Sequence, residues 1–208
     1  MLLALDTATE FLHLALIDGD RSWTCRVGSG PGRSHSEGLL PALEGLLAEA
    51  GATAQGLTGV VACLGPGGFT SLRIGVATAE GLGLTGLPTW GFTAFALRAE
   101  TLVQAGVAAP FWILLDGQRG EAFYQRWDGS ATAPAAKLAL ADLPSRVGLE
   151  PWWAPEAFAP RVVELLPQGR IPLVDEGAAT LAGLVALARR VVQGTPEAPP
   201  RPLLPPGD

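Results

Sequence analysis

Gly65-Pro66-Gly67-Gly68-Phe69-Thr70-Ser71-Leu72-Arg73-Ile74-Gly75 is the stretch on which the reading of this chain turns. It follows an apolar run, 57–64, and opens an apolar segment that continues to Leu87. That order predicts a strand, a glycine turn and a helix. Glycine permits positive φ and close backbone approach, and Pro66 stiffens the turn. Free N–H groups at the start of the helix suit an anion. The phosphate-binding version of this layout carries Lys and Ser/Thr after its last glycine. Here Phe69-Thr70 follow Gly68. The stretch has the layout of a nucleotide site without its chemistry.

Working outward, 2–6 and 11–17 read as strands, and Asp18-Gly19 as a hairpin turn into a third strand at 21–27. A loop covers 28–33. Ser34-x-x-Glu37 is a capping box, opening a helix that runs to about residue 50 with Gly51 just beyond it. Pro41 kinks that helix or marks its start. The strand 57–64, the glycine turn and a helix at 71–86 follow, then a strand at 87–91 and a helix at 93–105. Hairpins followed by crossover helices give an α/β fold, a mixed sheet flanked by helices. Near residue 107 the pattern resets. Strands at 111–116 and 121–127 flank the turn Gly117-Gln118-Arg119-Gly120, and helices at 155–166 and 176–193 surround a short strand at 171–174. The Ala- and Pro-rich stretch 131–144 carries no clear period. The second half reads as a reduced version of the first. The organisation is an N-terminal unit, 1–106, a smaller unit, 107–195, and a Pro-rich tail, 196–208.

Of the 208 residues, 48% are hydrophobic and 16% charged, enough for a sizeable core and low enough to suggest a covered apolar face. The net charge is −6 and Lys137 is the lone lysine, so no basic patch is present to grip nucleic acid unaided. The N-terminus meets Asp6 at once and lacks a basic leader, and no apolar run reaches membrane-spanning length. Cys25 and Cys63 form no metal or redox spacing. A reduced, cytoplasmic protein is the expectation.

Several residues invite a chemical reading. Asp6-Thr7-Ala8-Thr9 occupies the first turn between strands, where an Asp-Gly-Thr turn holds phosphate and a hydrated metal in actin-like ATPases. Thr7 stands in place of that Gly, and Asp6 with Thr9 can equally cap a hairpin. Asp6, Thr7, Gly65, Gly67 and Gly68 are therefore candidates for vestigial nucleotide or anion contacts. His35 opens a helix, but Leu39 one turn on supplies no second metal ligand. Ser34 and Ser36 have no second histidine as base. Asp116 and Glu121 flank a hairpin turn, as paired carboxylates or as a turn cap and a solvated acid. No catalytic residue and no metal site is assigned.

The helices 35–50 and 71–86 share a design. In the first, Leu39, Leu43, Leu46 and Leu47 make one face, and Gly38, Ala42 and Gly45 another. The second carries two charges, Arg73 and Glu80, and a small stripe of Gly75, Ala79, Gly83 and Gly86. A small face lets another helix approach closely. Either the two helices pack on each other, or both present their small faces to a second protein. The second alternative predicts that Ala79→Trp leaves the fold intact and abolishes complex formation.

Leu5-Asp6-Thr7-Ala8-Thr9, Ser34-His35-Ser36-Glu37 with Leu39-Leu40-Pro41, the glycine block, and Asp116 with Arg119-Gly120-Glu121 together resemble the TsaB (YeaZ) family. The blocks run in family order from Leu5 to Tyr124. Gly68 stands where the family usually has Ser, and Ser71 where it has Gly. The family's C-terminal Tyr-Leu-Arg is not evident, Pro202-Leu203-Leu204-Pro205 occupying that region. The resemblance implies an actin-like (ribonuclease-H-like, ASKHA) fold of two subdomains. It implies a non-catalytic partner of TsaD, the related subunit that makes threonylcarbamoyladenosine on tRNA beside the anticodon, with a TsaE-type ATPase in a larger complex. The interface residues it favours are Gly38, Ala42, Gly45, Arg73, Gly75, Ala79 and Gly83. It implies a homodimer when the chain is alone and little direct contact with tRNA. No cofactor is assigned, and weak ATP or ADP at the partner interface stays open. The rival readings are a small-molecule kinase or ATPase of the actin-like superfamily and, against the lack of a metal pair or triad, a glycopeptidase.

Overall fold

Apolar residues fill both faces of the first strands because the sheet they build is covered on both sides. The computed structural model describes residues 1–28, 35–129 and 134–193. Strands β1 (Leu2–Asp6), β2 (Phe11–Asp18) and β3 (Arg21–Gly28) form an antiparallel meander. Helix α1 (His35–Glu49) leads to β4 (Gly59–Cys63), and α2 (Phe69–Gly83) to β5 (Thr89–Phe92). Both later strands run parallel to β1, giving the order β3-β2-β1-β4-β5. Helix α3 (Ala94–Gln104) follows, its first turn capped by the Thr93 hydroxyl, which accepts the Ala96 N–H at 3.1 Å.

The second sheet repeats the plan with one strand fewer. Strands β6 (Phe111–Gln118), β7 (Glu121–Trp127) and β8 (Ala136–Ala139) are antiparallel neighbours, and β9 (Trp152–Trp153) lies parallel to β6. The order β8-β7-β6-β9 matches β3-β2-β1-β4. Helices α4 (Leu143–Val147), α5 (Ala159–Val163) and α6 (Glu176–Gln193) complete the described chain.

The cores define five layers. Leu3, Leu5, Leu14 and Leu16 meet the leucine face of α1 and Ala79 of α2. On the opposite face Ala4, Ala15 and Val61 join Phe95 and Leu102 of α3, Leu184 and Leu187 of α6, and Ile113 and Leu115 of the second sheet. Trp112 and Leu114 turn outward onto α4 and α5. Thus α1 and α2 cover one side, α3 and α6 sit between the sheets, and α4 and α5 cover the other. Gly183 of α6 is needed there, because a Cβ would lie 2.9 Å from the Thr101 backbone of α3. Each fully buried leucine in these layers contributes about 1.5–3 kcal/mol.

Several sequence expectations need correction. The helix expected at 155–166 is only the one-turn α5, which starts at Ala159 with Pro160 in its first turn, because a proline there breaks any helix running in from residue 155. The strand expected at 171–174 is a single bridge from Arg170 to Trp152, and Pro172 has no N–H to extend it. Strands β8 and β9 were not foreseen. Pro41 lies inside α1 rather than at its start. Ser34 of the capping box and the tail 196–208 lie outside the described residues.

Candidate functional site

The two β hairpins and the glycine turn meet at one cleft of about 580 Å³. Ala8 and Thr9 enter from the β1–β2 turn, Gly67 and Gly68 from the glycine turn, and Asp116 and Gln118 from the second hairpin. The architecture of a ligand cleft is present. Its expected groups are engaged elsewhere.

Asp6 is fully buried and sits behind the wall of the cleft. Its Oδ1 accepts the Ala8 N–H at 2.9 Å, and its Oδ2 accepts from Arg98 Nη2 at 3.0 Å. Arg98, only 2% exposed, lines the cleft in front of it. Burial, the largest single influence, opposes the Asp6 charge, but the Arg98 guanidinium, His13 and the Ala8 N–H together outweigh it and hold the carboxyl well below the usual carboxylate range. His13 Nδ1 lies 3.7 Å from Asp6 Oδ2, too far for a hydrogen bond. Burial lowers the His13 pKa despite Asp6, so the imidazole is neutral near pH 7. Sequence reading missed Arg98. The signal was its position four residues from both Ala94 and Leu102, which places it on the buried stripe of an apolar helix.

The glycine turn is fastened to the β1–β2 turn. Gly68 donates its N–H to the Ala8 carbonyl at 3.0 Å, and Ser71 Oγ returns to the Gly68 carbonyl at 2.9 Å. A Cβ at Gly67 would lie 2.8 Å from Ala8 Cα, backbone that cannot move aside. Gly65 has φ +96°, a conformation that side chains disfavour. Thr7 is buried against Gly75. Gly68, through its N–H, and Gly67, through its close approach to Ala8, therefore hold the two turns together.

The remaining candidates are also accounted for. Asp116 Oδ2 pairs with Arg161 at 3.2 Å, and Glu121 pairs with Lys137, so each carboxylate has its own cation. His35 lines the cleft mouth. Among the described residues no group of three His, Cys, Asp or Glu is placed to hold a metal.

The two small helix faces lie differently in the structure. Gly38, Ala42 and Gly45 line an open groove of about 720 Å³ between α1 and β3. Arg73 is exposed, its guanidinium 5.4 Å from the Phe69 ring. Gly75, Ala79 and Gly83 do not face outward. Ala79 is fully buried in the chain's own core, Gly75 abuts Leu5 and Thr7, and Gly83 abuts Thr89. The small stripe of α2 lets the helix approach its own sheet. The outward side of α2 is Thr70, Arg73, Ala77, Glu80, Gly81 and Leu84. Leu84 is 90% exposed, and Leu40 on neighbouring α1 is 58% exposed.

Residues 30–151 match the family model described as TsaD, tRNA N6-adenosine threonylcarbamoyltransferase. A protein of Mycobacterium tuberculosis with no assigned function is 31% identical over 194 residues, covering 88% of this chain and 82% of its own. The tRNA threonylcarbamoyladenosine biosynthesis protein TsaB of Escherichia coli is 30% identical over 145 residues, 65% of this chain and 62% of that one. The chain belongs to the TsaB (YeaZ) family. YeaZ from Pseudomonas aeruginosa superposes with a TM-score of 0.73 at 24% identity, covering 94% of both chains. The fold is thus the actin-like one that the family resemblance implied. The TsaB blocks read from the sequence converge in space: Asp6, the glycine turn, His35 and Asp116 all lie at or just behind the cleft.

Proposed function

We propose that this chain acts in the biosynthesis of threonylcarbamoyladenosine on tRNA as the non-catalytic partner of a TsaD-type transferase. It docks through the outward side of α1 and α2. The observation that carries this reading is that side itself. Two touching helices cover one face of the first sheet and leave Leu40, Ala77, Gly81 and Leu84 turned to solvent. Arg73 is the one Lys or Arg on α1 and α2. Two helices of this length supply much of the roughly 1,200–2,000 Å² that a specific interface buries.

The docking set is therefore revised. Gly38, Ala42, Gly45 and Arg73 remain interface candidates, joined by Leu40, Ala77, Gly81 and Leu84. The partner is a TsaD-type paralogue in a heterodimer, with a TsaE-type ATPase in a larger cytoplasmic assembly. The chain alone self-associates through the same side. The division into units 1–106 and 107–195 goes with this reading, with α6 as the bridge between them. The kinase or ATPase alternative has the cleft in its favour, but Asp6 is spent on Arg98 and Gly68 on Ala8.

Gel filtration of the chain with the TsaD of its own organism tests the proposal. A stoichiometric complex is expected. Two unshifted peaks at micromolar concentration would overturn it.

A further inference from the structure

The turn between β6 and β7 carries both backbone strain and an unpaired charge. Gln118 (φ +63°) and Arg119 (φ +50°) are the non-glycine residues with positive φ among those described. Gln118 pairs with Glu121, so Arg119 and Gly120 (φ +84°) form a two-residue loop with positive φ at both positions. Asn-Gly or Asp-Gly is the favoured pair for such a loop, and the Cβ of Gln118 and of Arg119 disfavours a left-handed backbone. The surroundings impose it. Asp116 Oδ1 accepts the Gln118 N–H at 2.8 Å, and a Cβ at Gly117 would lie 3.0 Å from the Glu121 backbone. Strain held in this way at the lip of a cleft points to function. The charges of the turn say what kind. Asp116 is neutralised by Arg161, and Glu121 by Lys137. Arg119 is exposed, and among the described residues no carboxylate or ring engages its guanidinium. One positive charge is left over at the tip, in a chain of net charge −6.

The turn also borders the docking side. Gln118 lines the cleft together with His35, the first residue of α1, and with Phe69 and Thr70, the first residues of α2. Thr70 belongs to the outward side of α2 as well. We propose that Arg119 is a docking residue that pairs with a carboxylate of the TsaD-type partner, and that the left-handed turn holds it in place to do so. A partner seated on α1 and α2 then meets the lip of the cleft and the tip of the turn together. The inference rests on the docking reading and extends its contact set into the second unit. The guanidinium fork matches a carboxylate in shape and charge. A protein carboxylate is favoured over a phosphate of tRNA, because one arginine without a basic neighbourhood gives little hold on nucleic acid.

The test uses the full chain as wild type, Arg119→Asn and Arg119→Lys, each melted alone and titrated calorimetrically against the TsaD of its own organism. Arg119→Asn supplies the residue that the turn favours and raises Tm by roughly 2–4 °C. It weakens binding about 10-fold. Arg119→Lys keeps the charge and recovers part of the affinity, and its advantage over Arg119→Asn shrinks at high salt. A residue that only shaped the turn would move stability and affinity together, whereas here they move in opposite directions. Wild-type affinity in Arg119→Asn would overturn this inference and leave the docking reading standing. Failure of the wild type to bind would overturn both. Wild-type affinity for TsaD combined with weaker binding of tRNA to the complex would assign the anion to a phosphate, and would overturn the inference too.

Discussion

Ala77 and Ala79 are two residues apart on α2, and tryptophan at each should separate binding from folding. Ala79 is fully buried among Leu3, Leu5 and Val60. Inserting an indole into such a packed layer costs about 3 kcal/mol or more. For a chain of this size that is a fall in Tm of roughly 6–12 °C. Ala77 is exposed. Its replacement costs only about 0.5 kcal/mol of helix propensity and moves Tm by less than about 2 °C. At a helix-on-helix contact, axes lie about 8–10 Å apart, a gap that does not admit an added tryptophan. Affinity for TsaD should fall at least about 100-fold, near 2.7 kcal/mol. Differential scanning fluorimetry and isothermal titration against TsaD read the two effects. Wild-type affinity in Ala77→Trp would refute the docking side, and wild-type Tm in Ala79→Trp would refute the buried orientation of the small stripe.

The glycines divide in the same way. Gly45 has open space around it, so Gly45→Ala should raise stability by about 0.8–1 kcal/mol, while Gly67→Ala, driven against the Ala8 backbone, should lower it by about 1–3 kcal/mol; urea midpoints read both. His13 sets a pH dependence. Its folded pKa is lowered by burial, with Asp6 opposing and Arg98 and Arg26 adding to the lowering. The unfolded chain takes up a proton near pH 6.5 that the folded chain refuses, so stability is full above about pH 6.5 and falls as pH drops below it. Glu176, raised by burial, works in the opposite sense, losing its contribution as pH rises through its folded value. The comparison of wild type with His13→Gln isolates the histidine, and an unchanged slope in Tm between pH 7 and pH 5 would contradict it. Asp116→Asn should leave the rate of a reconstituted tRNA modification unchanged, because the account gives this carboxylate no chemical role. A loss of turnover with complex formation intact would count against it.

Much of the fold could be read because local and tertiary signals agree there. The apolar runs of β1 and β2 and the alternation of β3 flank a clear Asp18-Gly19 turn, Thr93 and Gly51 mark helix ends, and α6 has a full amphipathic period. The second unit was harder. Strand β9 is two tryptophans long, and the short α5 is set by packing of Phe158 and Val162 rather than by any repeat. The site was legible as a set of turns but not in its connections. Asp6 and Arg98 are 92 residues apart, and no local pattern pairs them. The orientation of α2 was misread for a related reason. A stripe of small residues marks close approach, but the sequence does not say whether the neighbour is the chain's own sheet or another protein.

The central claim is that the chain enables a modification it does not itself catalyse. The direct measurement is the initial rate of threonylcarbamoyladenosine formation on tRNA by TsaD and its other protein components, with and without this chain. The account predicts a rate that depends on the chain and saturates at one equivalent per TsaD. A rate unchanged by leaving the chain out, or formation by the chain in the absence of TsaD, would contradict it.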